Sequence, residues 1–108
     1  ERATYVASLR AEAERLATSA AALGAERVIV FGSLATGEPG LLSDLDLLIV
    51  WDTPLDYLTR TVEIYKRLDP HGPVDLLVYT PQEMREMAQR PFIRTILEEG
   101  ETLYEATV

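Results

Sequence analysis

The sequence predicts a mixed α/β (α+β) domain, and three observations carry that prediction. Short β-branched or leucine-rich runs recur at Val28–Phe31, Asp44–Trp51 and Val74–Tyr79, each the length of a buried strand. Segments with apolar residues at steps of three and four separate or flank them, which is the period of a helix packed on one face. The joints carry Gly, Pro and Asp clusters that stop one kind of element and start the other. The 108 residues suit one domain, taken as 1–108.

The first helix is expected over Thr4–Leu23, where Tyr5, Leu9, Ala13, Leu16, Ala20 and Leu23 form one stripe and Gly24 supplies a left-handed stop. Strand one, Val28–Phe31, ends at Gly32-Ser33, and Leu34-Ala35-Thr36 allows a turn or two of helix. Gly37, Pro39 and Gly40 then break regular structure. In strand two, period two puts Asp44, Asp46, Leu48 and Val50 on one face and Leu45, Leu47 and Ile49 on the other. Both faces become apolar away from the start, so the strand is covered on both sides except at its acidic N-terminal end.

Thr53-Pro54 reads as the start of the next helix, with Leu55, Leu58, Val62 and Tyr65 as its apolar stripe and a close near Leu68. The turn Asp69–Pro73 leads into strand three, which begins with Asp75. Thr80-Pro81-Gln82-Glu83 has the form of a capping box. The helix behind it is interrupted or restarted at Pro91 and ends at Gly100, and Thr102–Tyr104 is a short edge strand.

Ser33 follows strand one, whereas Asp44 and Asp46 open strand two, so these residues meet only if the two strands run antiparallel. Asp75 joins them only if strands two and three run parallel, with the intervening helix as a right-handed crossover. That topology gathers Ser33, Asp44, Asp46 and Asp75 at one corner. Like-facing aspartates on a strand lie about 6.6 Å apart along it. Three carboxylates so close repel one another unless protonated or bound to metal. An all-oxygen set of this kind suits Mg2+, with Mn2+ as the alternative. Gly32 permits close backbone approach and Ser33 adds a hydroxyl, together a cradle for phosphate.

Composition narrows the remaining classes. There are no cysteines, which excludes disulfides, thiolate metal sites and cysteine nucleophiles. A net charge of −8 argues against direct nucleic-acid binding, though not against a phosphate ligand approached through a cation. No stretch reaches the ~20 apolar residues of a membrane span. No secretory signal pattern opens the chain, so a cytoplasmic location is expected. His71 sits in a Pro/Gly turn and reads as a surface residue, and Trp51 as packing.

Gly32-Ser33, Asp44-Leu45-Asp46 and the later Val-Asp-Leu-Leu-Val around Asp75 resemble the signature of the DNA polymerase beta-like nucleotidyltransferase superfamily. The short chain is most similar to its minimal nucleotidyltransferases, which are commonly paired with an all-helical HEPN partner in type VII toxin–antitoxin systems. The resemblance implies an antitoxin that transfers AMP from ATP, or a nucleotide from another NTP, to a tyrosine hydroxyl of the toxin. It implies Asp44, Asp46 and Asp75 as metal ligands, Asp75 as a candidate general base, and Gly32 and Ser33 as nucleotide-binding residues. Many relatives carry an arginine where this chain has Thr36, so a basic phosphate contact is expected from elsewhere, with Arg60, Lys66 and the partner as candidates. A binding module that neutralises its partner by complex formation is the alternative, and an antibiotic-modifying enzyme is a weaker third reading. Oligomeric state is left open, and a homo-oligomer is compatible with the sequence.

Overall fold

The computed structural model describes residues 2–36 and 45–107. Helix α1 (Arg2–Ala22) leads to strand β1 (Arg27–Phe31) and a single turn of helix, α2 (Ser33–Thr36). Strand β2 (Asp46–Val50), helix α3 (Tyr57–Leu68) and strand β3 (Asp75–Tyr79) follow. Helices α4 (Pro81–Met87) and α5 (Pro91–Glu99) precede strand β4 (Glu101–Glu105). The four strands form one mixed sheet in the order β3-β2-β1-β4. β1 runs antiparallel to both β2 and β4, and β2 runs parallel to β3. These are the strand directions that the carboxylate positions require.

Strand alternation gives the sheet two apolar faces. Val28, Val30, Leu47, Ile49 and Val78 pack with Ala13, Leu16 and Ala20 of α1 and with Ile64 and Leu68 of α3. On the other face, Ile29, Leu48 and Val50 pack with Met84 of α4 and Ile93 and Ile96 of α5. The alanines of α1 let that helix approach the sheet closely, and Gly24, at φ +100°, turns the chain out of it into β1.

Three expectations are corrected. Helix α3 begins at Tyr57, not at Thr53-Pro54, because Asp56 takes the cap: its carboxylate accepts the Thr59 N–H at 2.8 Å. Thr53 instead accepts the Leu55 N–H at 3.2 Å in a turn ahead of the helix. The stripe Leu58, Val62 and Tyr65 is exposed, Leu58 at 73%, whereas α3 buries Arg60, Ile64 and Leu68. The third is one of extent: the edge strand expected at Thr102–Tyr104 is present, runs over Glu101–Glu105, and carries a register shift opposite Val28 and Ile29.

The capping box stands as read. The Thr80 hydroxyl accepts the Glu83 N–H at 3.1 Å, and the Glu83 carboxylate accepts the Thr80 N–H at 2.9 Å. The restart at Pro91 is likewise present as the break between α4 and α5.

Candidate active site

The sheet brings the two described aspartates side by side. Asp46 is the first residue of β2 and Asp75 the first of β3, and the two are register partners across the parallel pair. Adjacent strands lie about 4.8 Å apart, so their side chains leave the same face at neighbouring positions. Asp75 is anchored by its own backbone, its N–H donating to the Leu45 carbonyl at 2.9 Å. Asp44 lies outside the described residues.

Phe31, the last residue of β1, is the register partner of Asp46 on its other side. The next residue, Gly32, has φ +72°, the left-handed region where glycine has no steric penalty. A Cβ at that position would collide with the Asp46 carboxylate, whose Cγ would lie only 3.3 Å away. The backbone at Gly32 therefore lies directly against the carboxylate, and a side chain there would displace it. Ser33 follows directly and opens α2, whose Leu34 packs with the α1 layer, and the Thr36 N–H closes that turn onto the Gly32 carbonyl at 3.1 Å. Gly32, Asp46 and Asp75 thus meet at one corner of the sheet, with Ser33 next in the chain, and alternation puts the two aspartates on the face covered further along by α4 and α5.

Neither proposed lysine nor arginine reaches that corner. The Arg60 guanidinium is buried, 5% exposed, and pairs with Glu83 at 2.6 Å. It also donates to the carbonyls of Leu55 at 3.0 Å and Val78 at 3.2 Å. Val78 is three residues along β3 from Asp75, about 10 Å at the usual strand rise. Arg60 is a structural clamp between α3, β3 and α4, and its ion pair holds the Glu83 carboxyl below the usual carboxylate range. Lys66 is exposed on α3, the helix that covers the opposite face of the sheet.

A second network supports the site from behind. Arg15 of α1 pairs with Glu12 at 2.8 Å and donates to the Asp69 carbonyl at 3.0 Å. Glu12 accepts the His71 N–H at 2.8 Å. The Arg15 hydrogen bond, against the opposing effect of burial and aided by the His71 N–H, lowers the Glu12 pKa to about 2. Helix α1 thereby grips the turn that delivers Asp75. His71 is a surface residue, as its turn implied, but its backbone is part of this grip. A cavity of about 520 Å3 opens beside it, lined by Tyr5, Leu9, Leu45, Pro73 and Val74 among others. Leu45 belongs to the α1 face, so this cavity lies across the sheet from the Asp46 side chain.

Carboxylate oxygens at adjacent register positions are the donor type that suits a divalent cation, with a glycine backbone pressed against one of them; among the described residues no third His, Cys, Asp or Glu completes a cluster. Two features were not legible in the spacing of residues. One is the contact of Gly32 with Asp46, which depends on register. The other is an aromatic pair at the same corner, Phe31 and Phe92, with centroids 6.2 Å apart and planes at 85°.

The nucleotidyltransferase domain model matches residues 13–103, most of the chain. A relative from Methanocaldococcus jannaschii, named a putative protein adenylyltransferase, is 35% identical over 80 residues, covering 73% of this chain and 78% of its own. The crystal structure of a putative nucleotidyltransferase from Sulfolobus solfataricus has a TM-score of 0.68 at 19% identity, covering 93% of this chain and 83% of that one. That likeness bears on the fold alone, and it agrees with the mixed sheet and its helices. The matched span includes both described aspartates, Gly32, strands β1 to β3 and the first three residues of β4. The chain belongs to the nucleotidyltransferase domain family.

Proposed function

We propose that this nucleotidyltransferase transfers AMP from ATP to a tyrosine hydroxyl of a HEPN-type protein partner and thereby acts as its antitoxin. The observation that supports this reading most directly is the register pairing of Asp46 with Asp75, with Gly32 packed against the Asp46 carboxylate. A glycine backbone against a carboxylate suits a phosphate-bearing ligand approached through a cation, and the similar protein named as a putative protein adenylyltransferase favours a protein acceptor.

In this reading Asp46 and Asp75, with Asp44, hold Mg2+, or Mn2+ in its place. When bound, such ions neutralise phosphate charge and polarise both the attacking and the leaving oxygen. Gly32 and Ser33 bind the nucleotide phosphates through backbone N–H groups and the serine hydroxyl. Asp75 accepts the proton of the acceptor hydroxyl. The acceptor oxygen then bonds to the α-phosphorus, the bond from that phosphorus to the β-phosphate bridging oxygen breaks, and pyrophosphate leaves. The positive charge that Arg60 and Lys66 do not bring to this corner comes from the ions and from the partner.

The test incubates the protein with ATP, Mg2+ and the HEPN protein encoded beside it, and weighs the partner by mass spectrometry. A gain of one or more AMP units that is lost with Asp46→Ala supports the reading. No gain, or a gain that survives Asp46→Ala, overturns it.

A further inference from the structure

Phe92 is a large apolar side chain left 60% exposed on the first turn of α5. An apolar ring in water forgoes the free energy of burial, and its neighbours Ile93 and Ile96 are fully used in the core. The ring is nevertheless held in place. It meets Phe31 edge to face, an arrangement that leaves part of the Phe92 ring open to solvent. Phe31 is itself packed against the α4–α5 core and is the register partner of Asp46. A cross-strand pair has Cα atoms about 5 Å apart, and the Phe92 ring lies 6.2 Å beyond that of Phe31. Through Phe31 the exposed ring therefore adjoins the strand position opposite Asp46, on the face of the sheet covered by α4 and α5. Arg90, the cap residue ahead of α5, and Arg94, which pairs with Glu98 at 3.1 Å, are both exposed beside it.

Resting on the nucleotidyl-transfer reading above, we propose that Phe92 is the stacking platform for the nucleobase of the donor nucleotide, with Phe31 as its buttress. Stacking of a base on an aromatic ring is tolerant of base identity, since every base has a π-face. Purines, which overlap a ring more fully, are the better ligands on this surface.

Binding of ATP and of inorganic tripolyphosphate, each with Mg2+, is measured by calorimetry for the wild type, Phe92→Ala and Phe92→Trp. Phe92→Ala is expected to weaken ATP by roughly tenfold, about 1.4 kcal/mol, and to leave tripolyphosphate unchanged. Phe92→Trp is expected to retain ATP affinity. Equal ATP affinity in wild type and Phe92→Ala overturns the proposal, including the case where transfer to a protein falls while ATP binding does not, which would assign the ring to the acceptor. Equal losses of ATP and tripolyphosphate overturn it too, because they mark a structural effect on the carboxylate corner. A wild type that binds neither ligand removes the nucleotidyl-transfer reading, and the platform with it.

Discussion

At the scale of single residues, the corner depends on what is missing from Gly32 as much as on the carboxylates. Any side chain there meets the Asp46 carboxylate and must also adopt φ +72°. Gly32→Ala is expected to cost about 1–3 kcal/mol of stability from backbone strain and to reduce transfer by a larger factor than stability alone explains. Thermal melts and initial rates on the same samples separate the two effects. Asp46→Asn and Asp75→Asn keep the shape of the side chain but remove its charge. Each is expected to lower transfer about a hundredfold or more, since even outer partners of metal ligands cost 10–100-fold, with little change in melting temperature. A variant with near-normal rates would remove that aspartate from the site. Asp46 and its Asp-x-Asp setting could be picked out from residue types and spacing. Its contact with Gly32 could not, because it arises from the register between two strands that the spacing of residues does not fix.

At the scale of elements, the clamps between helices and strands are ionic. Arg60 ties α3 to the β3 and α4 junction through Glu83 and two carbonyls. Glu83 keeps about a third of its side chain exposed, so the loss falls at the low end for a broken buried pair. Arg60→Ala is expected to destabilise by about 2–3 kcal/mol, read as the shift in a urea midpoint, and to leave ATP affinity unchanged. The α1 clamp has a pH signature. Glu12 titrates at about 2 in the folded chain against an ordinary 4.5. A depressed carboxylate adds stability that is present above its unfolded value and lost as pH falls through its folded one. Melting temperature should therefore fall between about pH 4.5 and pH 2, and Glu12→Gln should flatten that part of the curve. An unchanged slope in the variant would show that Glu12 does not hold the turn before Asp75. The α3 face shows where sequence patterns stop. Leu58, Val62 and Tyr65 have good helical spacing, as do Arg60, Ile64 and Leu68, and periodicity alone does not say which set turns inward.

At the scale of the whole molecule, two apolar layers sandwich the sheet and leave the carboxylate corner at its edge, so the core does not rely on a bound ion. Among the described residues no helix is long and apolar enough to cross a membrane. Mg2+ that binds only the folded chain stabilises by mass action, about 2.7 kcal/mol at a hundredfold excess over its Kd. The wild type should melt at higher temperature as Mg2+ is added, chelation should reverse the shift without unfolding the protein, and Asp46→Asn should respond little. A wild type whose melting temperature ignores Mg2+ would count against a cation at this corner.

The sequence by itself determined the order of elements, the capping box, and the residues able to do metal and phosphate chemistry. Those features are local: they depend on alternation along a strand, on a hydroxyl ahead of a proline, and on residue types within a short segment. It also implied the strand directions, because Gly32-Ser33 and the aspartates can meet in only one arrangement. Only the tertiary structure decided the one-to-one register of Asp46 with Asp75, the inward turn of Arg60 onto Glu83 and two backbone carbonyls, and the pairing of Phe31 with Phe92. Each of those rests on contacts between segments far apart in the chain, where packing and desolvation rather than local preference choose among faces that look equivalent along the sequence.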